Sequence, residues 1–129
     1  MCSAALPVLV GAVCTKSPLA VAATLPARAV ARLLTATDRG ALPVLRDGVV
    51  VGMITRAALR SHGGIADSAG TLVRRRAVIV REGDSLLAAL AAMTAAHAEH
   101  AVVVENGNVV GTLSDGQAIR GLAPSREVT

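Results

Sequence analysis

The 129-residue sequence predicts an α/β protein made of two β-α-β-β-α units packed sheet to sheet with pseudo-twofold symmetry. Three observations predict it. The chain repeats itself without a gap at an offset of 59 positions: Val21 meets Val80, Ala29 meets Ala88, Val44 meets Val103, Gly48 meets Gly107, and Gly52 meets Gly111. Each repeat carries one two-residue hairpin signal, Asp47-Gly48 or Asn106-Gly107, between two apolar runs. Each unit alone, with about sixty residues and three strands, stands near the lower limit of independent stability, so two apolar sheet faces are expected to shelter one another.

The elements follow in order. Leu19-Ala20-Val21 and Val78-Ile79-Val80 read as short β runs that open each unit. A helix comes next. In the second unit Ser85 is a plausible N-cap and Leu86, Leu87, Leu90 and Met93 fall near helical spacing; in the first, Pro26 suits a helix's first turn and Val30, Leu33 and Leu34 form the buried stripe. Two strands then flank each hairpin: Leu42 to Leu45 with Val49 to Ile54, and Ala101 to Val104 with Val109 to Leu113. Both units end on a hydroxyl, Thr55 or Ser114, placed to cap a second helix over Arg56 to Arg60 or Asp115 to Ile119. The whole reads as one module over 1–129, with a first unit over 8–62, a second over 63–122 and a tail over 123–129.

Composition narrows the function. The chain has no Phe, Trp or Tyr, so its core is aliphatic, and recognition modes built on aromatic stacking or cages lose ground. Thirteen basic residues against nine acidic ones, with a single Lys, suit anionic partners such as phosphates without implying nucleic acid. Two cysteines make no disulfide framework, which points to a reducing cytoplasm. The apolar start has no Lys or Arg before its apolar run, and no stretch reaches the ~18 apolar residues of a membrane span. No GxSxG, Walker A or HExxH pattern is present, so the protein is not expected to be an enzyme.

Several segments carry a resemblance. Gly40-Ala41-Leu42-Pro43-Val44-Leu45-Arg46-Asp47-Gly48, Val51-Gly52-Met53-Ile54-Thr55, Val110-Gly111-Thr112-Leu113-Ser114 and the opening segment Cys14 to Val21 together resemble a tandem pair of CBS domains, the module named after cystathionine β-synthase. The resemblance covers residues 8 to 122. It implies a regulatory sensor that binds an adenosyl ligand (AMP, ADP, ATP or S-adenosylmethionine) in clefts between the units, forms a homodimer through its helices, and signals to an effector protein in trans. No cofactor is required. Carried onto this chain, the ligand-binding positions are Thr15, Lys16, Pro18, Ala41, Pro43, Thr55, Arg56, Arg74, Arg75, Arg76, Val78, Ile79, His100, Ala101, Val102, Ser114, Asp115 and Gln117.

One departure matters. The family's ribose-binding Asp stands three residues after the Thr; here those positions are Ala58 and Gln117. Losing a charged hydrogen bond, worth roughly 1.5–3 kcal/mol, weakens binding by about one to two powers of ten. The second-unit cleft, with Ser114 and Gln117, is therefore preferred over the first. The Arg74-Arg75-Arg76 run reads equally as a phosphate contact or a solvated linker. His97 and His100 lack the further ligands zinc needs and read as a helix-end pair. Cys14 reads as a small buried hydrophobe. Two other readings stand beside the sensor: a ligand-free interaction scaffold, and a DNA-associated regulator using the Arg run, which lacks any recognisable DNA-binding motif.

Overall fold

The computed structural model describes residues 7–62, 67–73 and 77–123. A one-turn helix α1 (Val10–Val13) and a short strand β1 (Thr15–Lys16) lead the chain. Then come β2 (Val21–Ala22), α2 (Ala27–Ala36), β3 (Ala41–Arg46), β4 (Val49–Thr55) and α3 (Arg56–His62). The second half runs α4 (Ala69–Leu72), β5 (Val78–Val80), α5 (Leu86–Ala95), β6 (His100–Glu105), β7 (Asn108–Ser114) and α6 (Asp115–Leu122). The sequence offset of 59 maps α1, α2, β3 and β4 onto α4, α5, β6 and β7 residue for residue. The β-α-β-β-α order holds in both halves. The first strand forms at Val21–Ala22 rather than over 19–21, because its pairing to β3 begins at Val21↔Val44.

Local chemistry explains the element ends. Asp47 and Asn106 take φ of 53° and 51°, and Gly48 and Gly107 both take 80°, the positive angles of a type I′ hairpin. The Ser85 side chain accepts from Ala88 N–H at 3.0 Å, Thr55 from Ala58 N–H at 3.1 Å, and Ser114 from Gln117 N–H at 3.1 Å. Each satisfies one N–H that a helix start leaves unpaired. Pro26, with φ −61°, stands at the N-cap of α2, where a missing N–H costs nothing.

The strands form two sheets, ordered β2-β3-β4 and β1-β7-β6-β5. In each, the opening strand runs parallel to the next, and the hairpin slips register once, between Val44 and Leu45 or between Val103 and Val104. Alternation along the strands sorts the side chains. Leu42, Val44 and Ile54 meet the α2 side, and Ala101, Val103 and Leu113 the α5 side. Pro43 and Val102 are also fully buried yet point the other way, into the seam between the sheets.

The leading segments cross over. Val10 of α1 is fully buried in the second core with Val80, Leu86 and Met93, whereas Ala69 and Leu72 of α4 are buried in the first core with Val30 and Leu34. Backbone bonds repeat the exchange: Leu86 N–H donates to Val8 at 2.8 Å, and Ala27 N–H donates to the matching Asp67 at 2.9 Å. β1 likewise edges the second sheet, Thr15 opposite Thr112 and Lys16 opposite Gly111. A Cβ at Gly111 would run into the Thr15 carbonyl oxygen, so this strand glycine marks a close backbone approach. Gly111→Ala is expected to displace β1 and destabilise the chain by about 1–3 kcal/mol. Urea unfolding followed by circular dichroism checks it, since the chain has no aromatic fluorophore.

Candidate functional site between the two sheets

Two stretches of the seam are related by the repeat. One is an open groove of about 560 Å³ lined by Val50, Val51, Ala77 and Ile79. Its volume suits a small-molecule site, and its walls are aliphatic. Ile79 is half exposed there, because β5 alternates: Val78 packs on the helix side and Ile79 turns away from it. The offset of 59 assigns Val109, Val110, Pro18 and Ala20 to the corresponding stretch along β7.

A network of polar side chains lies near that stretch. Ser17 N–H donates to Val110 O at 2.9 Å, which runs the opening segment along β7. The Gln117 side chain is used at both ends: its oxygen accepts from Ser114 N–H at 2.8 Å, and its Nε2 donates to Thr15 Oγ1 at 2.8 Å. With the Ser114 side chain this closes a capping box at the start of α6. Arg39 reaches in from the first half, donating to Thr112 Oγ1 at 2.8 Å. His100 pairs with Ser114 across β6 and β7. Burial holds the His100 imidazole below its ordinary pKa of 6.5, Arg39 pushes the same way, and Glu99 and Asp115 oppose it.

Of the expected site residues, Thr15, Ser114 and Gln117 are joined by hydrogen bonds, and Asp115 and His100 lie beside them. Pro18 is exposed just past β1, and Ala41 is buried opposite Thr55 at the start of the first hairpin. Ile79 lines the groove, while Pro43 and Val102 form the buried seam. Val78 and Ala101 turn their side chains into the second core, leaving the cleft only their backbone.

Two of the expected cations are engaged by the protein itself. Lys16 donates to Glu82 at 2.9 Å and to Gly11 O at 2.8 Å, and Arg56 donates to Leu34 O and Arg39 O, both at 3.0 Å. Arg74, Arg75 and Arg76 lie outside the described residues. Burial raises the Cys14 thiol above its ordinary pKa, and Lys16 opposes the shift. Among the described residues no three His, Cys, Asp or Glu side chains gather as a metal site.

Sequence reasoning missed Arg39. Its repeat mate is Ala98, so the comparison of units hides it; only the fold brings it to Thr112. A proton NMR titration is expected to place the His100 midpoint below 6.5. Removing the positive neighbour with Arg39→Met raises that midpoint, and Asp115→Asn lowers it. A depressed histidine pKa means the unfolded chain takes up the proton first. The His100 contribution to stability is therefore constant above the ordinary value and falls as pH drops below it.

Comparison with known proteins gives the family. The CBS domain family matches residues 10–63 and again 69–124. The CBS domain of a CBS domain-containing membrane protein from Sphaerobacter thermophilus is similar in structure, with a TM-score of 0.78, 19% identity, and coverage of 91% of this chain and 89% of that one. The CBS domain of a bacterial CNNM/CorC family Mg²⁺ transporter, solved in complex with ATP, is similar at TM-score 0.75 and 17% identity, covering 88% of this chain and 86% of that one. CBSX2, solved in complex with AMP, is similar at TM-score 0.69 and 21% identity, covering 87% of this chain and 93% of that one. No curated protein matches the sequence. No helix among the described residues is long and apolar enough to cross a membrane. With two consecutive matches spanning most of its length, and two sheets related by the same offset, the chain belongs to the CBS domain family as a tandem pair.

Proposed function

We propose that this CBS pair is a regulatory rather than catalytic module that senses an adenosyl ligand along its seam and reports to a partner protein. AMP, ADP, ATP and S-adenosylmethionine are the candidate ligands, and a reducing cytoplasm the setting. Similar CBS structures hold ATP or AMP, which supports the ligand class. The observation that carries the reading is the groove of about 560 Å³ with its wall of Val50, Val51, Ala77 and Ile79. A purine needs an apolar slot and backbone groups at a strand edge, and this groove has both without an aromatic residue.

The groove reverses the preference drawn from residue identity. The cleft at Ser114 and Gln117 has the better polar side chains, but they are already bonded to one another and to Thr15, with Arg39 on Thr112. A ribose there must displace protein hydrogen bonds. In the groove, the base rests on the aliphatic wall, and the phosphates turn toward the start of α3 at Thr55. Ligand shifts the tilt of the two halves only if it binds their arrangements unequally. A homodimer through the helices transmits the change.

The second reading is a ligand-free scaffold. Ala58 and the committed amide of Gln117 favour it, since neither offers a free ribose partner. Isothermal titration calorimetry with each of the four ligands separates the two. The sensor reading expects saturable heat from at least one, reduced more than tenfold in affinity by Ile79→Arg and unchanged by Gln117→Ala. Absence of heat with all four leaves the scaffold.

A further inference from the structure

The two halves share their backbone but not the charge of their outer helices. On α2, Arg28, Ala31, Arg32 and Thr35 recur at i, i+3, i+4 and i+7 and form one exposed stripe. Arg60 is exposed on α3, which packs against α2. The offset of 59 makes Leu87, Ala91 and Ile119 the mates of Arg28, Arg32 and Arg60, so the fold itself makes no demand for arginine at these positions.

Locally the three charges are badly placed. Arg28 stands in the first turn of α2, at the positive end of the helix dipole, and that turn has no acidic residue. Arg28 and Arg32 are like charges one turn apart, which oppose one another. Neither α2 nor α3 contains an acidic residue. Among the described residues, Arg28, Arg32 and Arg60 meet no carboxylate and give no side-chain hydrogen bond, whereas Lys16, Arg39, Arg56 and Arg81 all do. Residues 1–62 together hold seven basic and two acidic side chains. Local rules broken with no return inside the fold mark a surface shaped for another molecule.

We propose that the α2–α3 face docks an acidic helical segment of a partner protein, whose carboxylates pair with Arg28, Arg32 and Arg60. The inference rests on the reading that this module reports to a partner protein, and adds where that partner sits. A guanidinium takes a carboxylate through two parallel hydrogen bonds. Glutamates four residues apart on a helix stand one turn apart, which is the spacing of Arg28 and Arg32. Ala31, Thr35 and Ala57 are exposed on the same two helices and are small enough to let a second helix lie close. A second copy of this chain does not fit, because a twofold contact sets the arginines against their own equivalents. A lipid surface fits poorly: among the described residues no large apolar side chain is exposed on α2 or α3 to enter it.

The test is an NMR titration of the ¹⁵N-labelled full chain, without nucleotide, with a synthetic alanine-based helical peptide carrying glutamates four residues apart. The expected result is saturable shifts confined to α2, α3 and the side-chain N–H signals of Arg28, Arg32 and Arg60, absent when glutamine replaces glutamate in the peptide. Arg28→Gln/Arg32→Gln is expected to weaken binding at least tenfold with circular dichroism unchanged. Arg46→Gln/Arg120→Gln removes the same charge from exposed positions on β3 and α6, and is expected to change affinity less than twofold. No saturable shift, shifts spread over all exposed arginines, equal weakening by the two double variants, or tighter binding to phosphatidylserine vesicles or a DNA duplex overturns the proposal. A chain that binds the peptide but gives no heat with any adenosyl ligand keeps this docking face and loses the sensor reading; the reverse result loses only the docking face.

Discussion

The crossover of the leading segments holds the two halves together. Val10 completes a core otherwise built from residues after 77, and Leu72 and Ala69 complete one otherwise built before 60. Burying a side chain of Val or Leu size contributes about 1.5–3 kcal/mol, a large share of the marginal stability of a small domain. Matching backbone bonds from Leu86 to Val8 and from Ala27 to Asp67 tie each segment to its host helix. Neither sheet therefore has a complete hydrophobic layer within its own contiguous stretch.

Within that frame the repeat has kept the character of its cores and diverged along the seam and on the outer helices. Core mates keep their character: Leu42 with Ala101, Val44 with Val103, Ile54 with Leu113. Seam mates do not: Met53 corresponds to Thr112, and Arg39, whose mate is Ala98, bonds that threonine across the seam. Thr15, Ser114 and Gln117 form a polar network in the second unit that the first, with Ala58 in place of Gln117, cannot repeat. The outer helices diverge in the same manner, with arginine exchanged for leucine or isoleucine at matched positions.

Most of the architecture was legible because it is local. Asp-Gly and Asn-Gly dictate their turns through positive φ, and hydroxyls three residues before an N–H dictate helix starts. The offset then located the second half from the first. Helices α1 and α4 were not legible, since four residues make barely one turn and carry no periodicity to read. The crossover was hidden for a different reason: which core receives Val10 is a non-local fact. The site was legible in part. Ser114, Gln117 and Thr15 meet, but residue type could not reveal that Gln117 would spend its amide on a capping box, nor that Lys16 and Arg56 would settle on Glu82 and on the end of α2.

The exchange itself is open to one direct measurement. Val10→Ala opens a cavity in a core that its sequence neighbours do not form. Native-state hydrogen exchange of this variant reports which amides lose protection. The account predicts that the loss falls on β5, β6, β7 and α5, with β2 to β4 less affected. Loss of protection concentrated in β2, β3 and β4, the strands that follow Val10 along the chain, would contradict it.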